Sequence, residues 1–82
     1  MTVFKQHATY SERADAAYLY LRRGKVARTR VLDETRNVDL DANGDVIGVE
    51  FLGVSGGLNF DGVPEAATVE RLLHERSLPV PA

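Results

Sequence analysis

The stretch from Val38 to Leu52 constrains this chain more than any other. Val38-Asp39-Leu40 alternates apolar and polar residues, Val46 to Leu52 alternates again, and Asp41-Ala42-Asn43-Gly44 stands between them. A period of two belongs to an extended strand whose side chains point to opposite faces. Asparagine and glycine tolerate positive φ, so the intervening four residues read as a tight turn. Two strands joined this way form an antiparallel hairpin. Ile47, Val49 and Phe51 fall on one face of the second strand, and Val46, Gly48, Glu50 and Leu52 on the other.

A second hairpin is predicted upstream. Ala17-Tyr18-Leu19-Tyr20-Leu21 is apolar and aromatic, as a strand requires. Arg23-Gly24-Lys25 supplies a glycine turn, and Val26 to Leu32 alternates, with Arg28 and Arg30 opposed to Ala27, Thr29 and Val31. Residues 1–9 read as a polar lead-in with a short strand ending near Tyr10, and 33–37 as a loop. The expected sheet is thus a four-stranded antiparallel meander of two hairpins, over residues 8–54.

Residues 53–62 hold four glycines and read as a loop. A helix is predicted over 64–77. Pro64 would open it at the first position, where a missing N–H is harmless. Val69, Leu72 and Leu73, with Ala66, form its apolar stripe. Pro79 and Pro81 end it and leave a tail over 78–82. The fold class is α+β: one domain, with the helix packed on the sheet.

Composition narrows the chemistry. With 82 residues the chain makes one modest core. It has no cysteine, which removes disulfides and thiolate chemistry and fits a cytoplasmic location. No apolar run approaches a membrane span, and Met1 to Tyr10 has no signal-peptide core. The net charge of −2 hides a polarity: residues 1–30 sum to +5 and residues 31–82 to −7. Such polarity favours an acidic partner at one end, a basic partner at the other, or contact between two copies.

Two motifs resemble reactive sites. Asp39 to Glu50 matches the calcium-loop pattern D-x-[DN]-x-[DN]-G-x5-E. An EF-hand needs flanking helices, and here both flanks alternate like strands. On a strand Glu50 would lie about 20 Å from Gly44 and could not complete the coordination shell. The segment is a hairpin turn, with Asp39, Asp41 and Asn43 left as weak cation ligands. Gly53-Val54-Ser55-Gly56-Gly57 matches the nucleophile elbow, followed by Asp61 and His74. The elbow requires strand–turn–helix within a large parallel sheet, which this chain cannot build. His7 and His74 lie in separate segments. No catalytic set, metal centre or cofactor is expected.

The remaining candidates are surfaces. Arg22, Arg23, Lys25, Arg28 and Arg30 cluster on the predicted first hairpin, and a basic ribbon can enter a DNA groove. Charges on an edge strand also serve to block aggregation. Tyr18 and Tyr20 share one strand face, opposite Leu19 and Leu21. One face is then core and the other a second, partly wet surface suited to packing against another molecule.

These residues carry a resemblance. Tyr10, then Asp15 to Leu21, then Asn37 to Leu52 resemble a widespread family of short bacterial proteins of unknown function. Its pattern is Y-D-x-x-x-D-x-L-Y-I-x-L, a variable turn, then D-x-D-x-x-G-x-V-x-G-I-E-I-L. Ser11 stands where the family has aspartate, and Ala17 where it has leucine. The resemblance implies no enzymatic activity. Some members look like antitoxins, which implies a protein partner.

The expected function is a non-catalytic protein-interaction module, dimeric and antitoxin-like. Its acidic half (Asp61, Glu65, Glu70, Glu75) would mask a small basic protein. Nucleic-acid contact through the basic hairpin is the alternative.

Overall fold

The turn at Asp41 organises the sheet as its sequence requires. In the computed structural model, which describes residues 4–76, Asp41 Oδ1 accepts hydrogen bonds from the N–H groups of Asn43 (2.9 Å) and Asp45 (3.0 Å). Gly44 takes a φ of 85°, a conformation that costs glycine nothing. The turn joins β4 (Arg36–Leu40) to β5 (Val46–Leu52) in antiparallel register, Val38 opposite Val49. A register shift between Asp39 and Leu40 sets Leu40 against Val46, so Ile47 is the extra residue of a bulge.

Three further strands complete the sheet: β1 (His7–Ser11), β2 (Ala16–Tyr20) and β3 (Arg28–Asp33). The order is β1-β2-β5-β4-β3, with all neighbours antiparallel. The sheet therefore has five strands, not four, and is not a simple meander. The lead-in contains β1, which pairs with β2 around Ser11–Ala16. Ala14 N–H bonds the Ser11 hydroxyl there (3.1 Å), and Asp15 takes a φ of 52°. Residues 33–37 are not a loop: Asp33 ends β3, Arg36 opens β4, and Glu34 and Thr35 turn between them, with Asp33 Oδ1 accepting from Thr35 N–H (2.9 Å).

The predicted pairing of β2 with the following strand does not occur. Ala17, Leu19 and Leu21 are at most 1% exposed and need an apolar neighbour on each side. Ala8 of β1 and Val49 of β5 provide them, both paired to Leu19. Arg28 to Val31 are exposed and suit only an edge. Residues 21–27 cross from β2 to β3, about 14 Å at three strand spacings, over the end of the β4–β5 hairpin. Leu21 N–H and Arg22 N–H bond Ile47 O on the way, and Ala27 N–H bonds Leu40 O.

Among the described residues, one face of the sheet is covered. The helix α1 spans Ala66–Glu75, two residues inside each predicted end, and buries Val69, Leu72 and Leu73. Pro64 precedes it instead of opening it. The N-cap is Glu65, at φ 54° and without a capping hydrogen bond of its own. Val54, Leu58 and Val63 from the connection fill the core beside it, and Phe60 meets Phe51 edge-on at 5.8 Å. Full burial of each such side chain contributes roughly 1.5–3 kcal/mol. The predicted tail lies outside the described residues.

Two polar clasps hold the connection down. Arg36, 8% exposed, donates to Asp33 Oδ2 (2.8 and 2.9 Å), to Asn59 O (3.1 Å) and to Asp61 O. Its guanidinium bonds hold the Asp33 carboxyl down at a pKa of about 2. Asp15 accepts from Ser55 N–H (2.9 Å) and Ser55 Oγ–H (2.6 Å).

Candidate functional site

The face opposite the helix is built by the pleat. Residues paired across neighbouring strands project to the same side, so the register alone assembles it. Tyr18 lies opposite Thr9 on β1 and Glu50 on β5, and Tyr20 opposite His7 and Gly48. On β4, Asn37 faces Glu50 and Asp39 faces Gly48; on β3, Thr29 faces Asp39 and Val31 faces Asn37.

A polar and aromatic row crosses all five strands. The His7 ring stacks on Tyr20 at 4.6 Å and 12°, and Tyr20 meets Tyr18 at 4.6 Å and 56°. His7 Nδ1–H donates to Lys5 O (2.8 Å), which fixes that ring's edge. Tyr18 then lies flat across β5 because Gly48 has no side chain. A Cβ there would stand 2.0 Å from the Tyr18 hydroxyl oxygen. The hydroxyl donates to Asp39 Oδ2 (2.5 Å), and Thr29 Oγ–H donates to Asp39 Oδ1 (2.5 Å). Beside the row, Asn37 donates to Glu50 Oε1 (3.0 Å). Burial, and then the Asp39 carboxylate, push the Tyr18 phenol far above its ordinary pKa, so it stays a neutral donor.

The row is ordered yet accessible. Tyr20 is 39% exposed, Leu52 37% and Val31 68%. Rigid aromatic side chains held half-exposed by hydrogen bonds lose little entropy on being covered. By contrast, the cleft between β1 and the end of α1 measures about 180 Å3, below the roughly 300–1,000 Å3 of small-molecule sites.

The other sequence candidates are dispersed. The basic cluster is not a ribbon, because its hairpin does not form. Arg22 makes a bidentate pair with Glu65 (2.5 and 2.9 Å) and also donates to Val46 O. That pair raises the Arg22 pKa and lowers the Glu65 pKa. Arg23 and Lys25 sit on the crossover, while Arg28 and Arg30 lie on the outer strand, opposite Leu40 and Val38. Glu70 is exposed on the helix, and Glu75 is bonded to Arg71 (2.8 Å). Of the four acidic residues, Glu65 and Glu75 are thus paired with arginines, while the Glu70 and Asp61 side chains are exposed.

The calcium-like residues also separate. Asp41 caps its turn, Asp39 belongs to the tyrosine row, and Glu50 lies on β5. Among the described residues no cluster of three or more histidine and acidic side chains could hold a metal ion. Ser55 occupies a short 3-10 turn and is bonded to Asp15, while Asp61 offers its backbone carbonyl to Arg36. No helix among the described residues is long and apolar enough to cross a membrane.

The sequence placed Tyr18 and Tyr20 on this face but missed His7, Thr29, Asn37 and Asp39 as their companions. The period-two parity of each strand was available. The missing information was strand order, which the β2–β5 pairing supplies.

A family model described as "Protein of unknown function (DUF2283)" matches residues 7–55. The match runs from the first residue of β1 past the end of β5, and so takes in the whole open face. No curated protein and no solved structure matches the chain.

Proposed function

This chain belongs to DUF2283, a family described as of unknown function, and we propose that it is a non-catalytic protein-interaction module that works through the open face of its sheet. The observation that carries this reading is the aromatic row. His7 stacks on Tyr20, Tyr20 meets Tyr18 at a tilt, and Tyr18 is anchored on Asp39, while Tyr20, Val31 and Leu52 remain exposed. A held aromatic row flanked by exposed apolar side chains suits an interface.

The specific form we favour is antitoxin-like, with a small basic protein as partner. Its acidic contact is relocated from the helix to the sheet, since Glu65 and Glu75 are already paired with arginines. Expressing the chain together with the product of its neighbouring gene tests this form. Co-purification, or rescue of growth from that product's toxicity, is the expected result. Failure of both would refute it.

A further inference from the structure

The open face has a charge pattern as well as an aromatic one. Its strand positions carry two carboxylates, Asp39 and Glu50, and neither lysine nor arginine. The arginines of β3, Arg28 and Arg30, pair with Val38 and Leu40 and so project to the other side. We propose that the open face binds an extended cationic segment, with arginine heads on Glu50 and Asp39 and their stems across Tyr18 and Tyr20. This rests on the reading of the face as the working surface and adds the chemistry of its occupant.

Spacing supports the assignment. Glu50 lies opposite Asn37, and Asp39 is two residues further along β4. The two carboxylates are therefore diagonal neighbours, about 7–8 Å apart. An extended chain repeats its side chains on one face every 6.6–7 Å or so. Alternate arginines thus reach both acids from one strand. Each carboxylate keeps capacity for more bonds. Asp39 accepts one hydrogen bond on each oxygen, and Glu50 accepts one from Asn37 on Oε1. Both acids bear on the Tyr18 hydroxyl, whose ionisation they oppose after burial does. Guanidinium groups also stack on tyrosine rings.

A second copy fits this face less well. β5 is the middle strand of five, so two faces packed about a central two-fold axis would bring Glu50 close to its own counterpart. Burying like charges together is costly. A cationic occupant removes that conflict.

The test is an NMR titration of the 15N-labelled chain with an eight-residue peptide alternating arginine and valine. A peptide alternating glutamate and valine is the control. The expected result is movement of the Tyr18, Gly48 and Glu50 amides with the arginine peptide alone. Affinity should weaken about fivefold in Glu50→Gln, the size of one half-exposed ion pair, and fall again in Tyr20→Ser. Both variants must keep the parent spectrum outside the face. No movement, or movement confined to the helix side, would overturn the proposal. Equal binding of both peptides would also overturn it while leaving the face as a docking surface. Shifts of these same amides with protein concentration alone would assign the face to a second copy and overturn the cationic occupant.

Discussion

Replacing Gly48 with alanine should destabilise the protein, and only because of Tyr18. The new Cβ would stand 2.0 Å from the Tyr18 hydroxyl oxygen, 2.5 Å from Cζ and 2.7 Å from Cε1. Ordinary contact begins near 3.5 Å, so the ring must retreat by about 1.5 Å. That displacement breaks the 2.5 Å bond to Asp39. A hydrogen bond to a charged group contributes about 1.5–3 kcal/mol, and the half-buried setting favours the lower end. Alanine returns about 0.5–1 kcal/mol by restricting the unfolded chain, since no left-handed φ at Gly48 opposes it. The net loss is about 0.5–1.5 kcal/mol. In a Tyr18→Ala background the obstacle is gone, and the same substitution should stabilise by about 0.5–1 kcal/mol. Urea unfolding of the four proteins measures both values. Equal effects of Gly48→Ala in the two backgrounds would show that the Tyr18 ring is not what the new Cβ displaces.

Further outcomes follow from the clasps and the face. Arg36→Met should cost about 2–3 kcal/mol by leaving three partners without their donor, and should speed amide exchange over residues 57–63. The Asp33 carboxyl, ordinarily near 3.8, should titrate at about 2 in the parent and return toward its ordinary value in that variant. Because the folded value is the lower one, its contribution to stability is present above pH 3.8 and is lost as pH falls toward 2, read by carboxyl NMR and acid unfolding. Ser55→Ala should lower stability by about 1 kcal/mol through the lost Asp15 bond, seen in urea melts. Arg22→Ala should cost under about 1 kcal/mol, since the exposed pair is screened.

The legible parts of this fold were those with local signals. Asp41, Asn43 and Gly44 specified a turn by their backbone preferences, and Ile47, Val49 and Phe51 are buried as their alternation required. Val69, Leu72 and Leu73 marked the helix face in the same way. The misread parts depended on which strand lies beside which. Gly24 resembles a hairpin turn, yet it packs against Ile47 in a crossover. The two-sided apolar pattern of Ala17–Leu21 was the available sign of an inner strand, and the exposed arginines of β3 the sign of an edge. β1 was faint because only Ala8 and Tyr10 of its five residues are apolar. The site was half legible for the same reason: Tyr18 and Tyr20 sit on one strand, but Asp39 reaches them only through β5.

On this reading the open sheet face, and not the helix side, meets the partner. Affinity capture from the native host with two folded variants tests it most directly: Tyr20→Ser with Leu52→Ser on the face, and Glu70→Ala with Arg71→Ala on the helix. A stoichiometric partner of the parent should be lost from the first variant and kept by the second. A partner that stays with the face variant, or leaves with the helix variant, would contradict it.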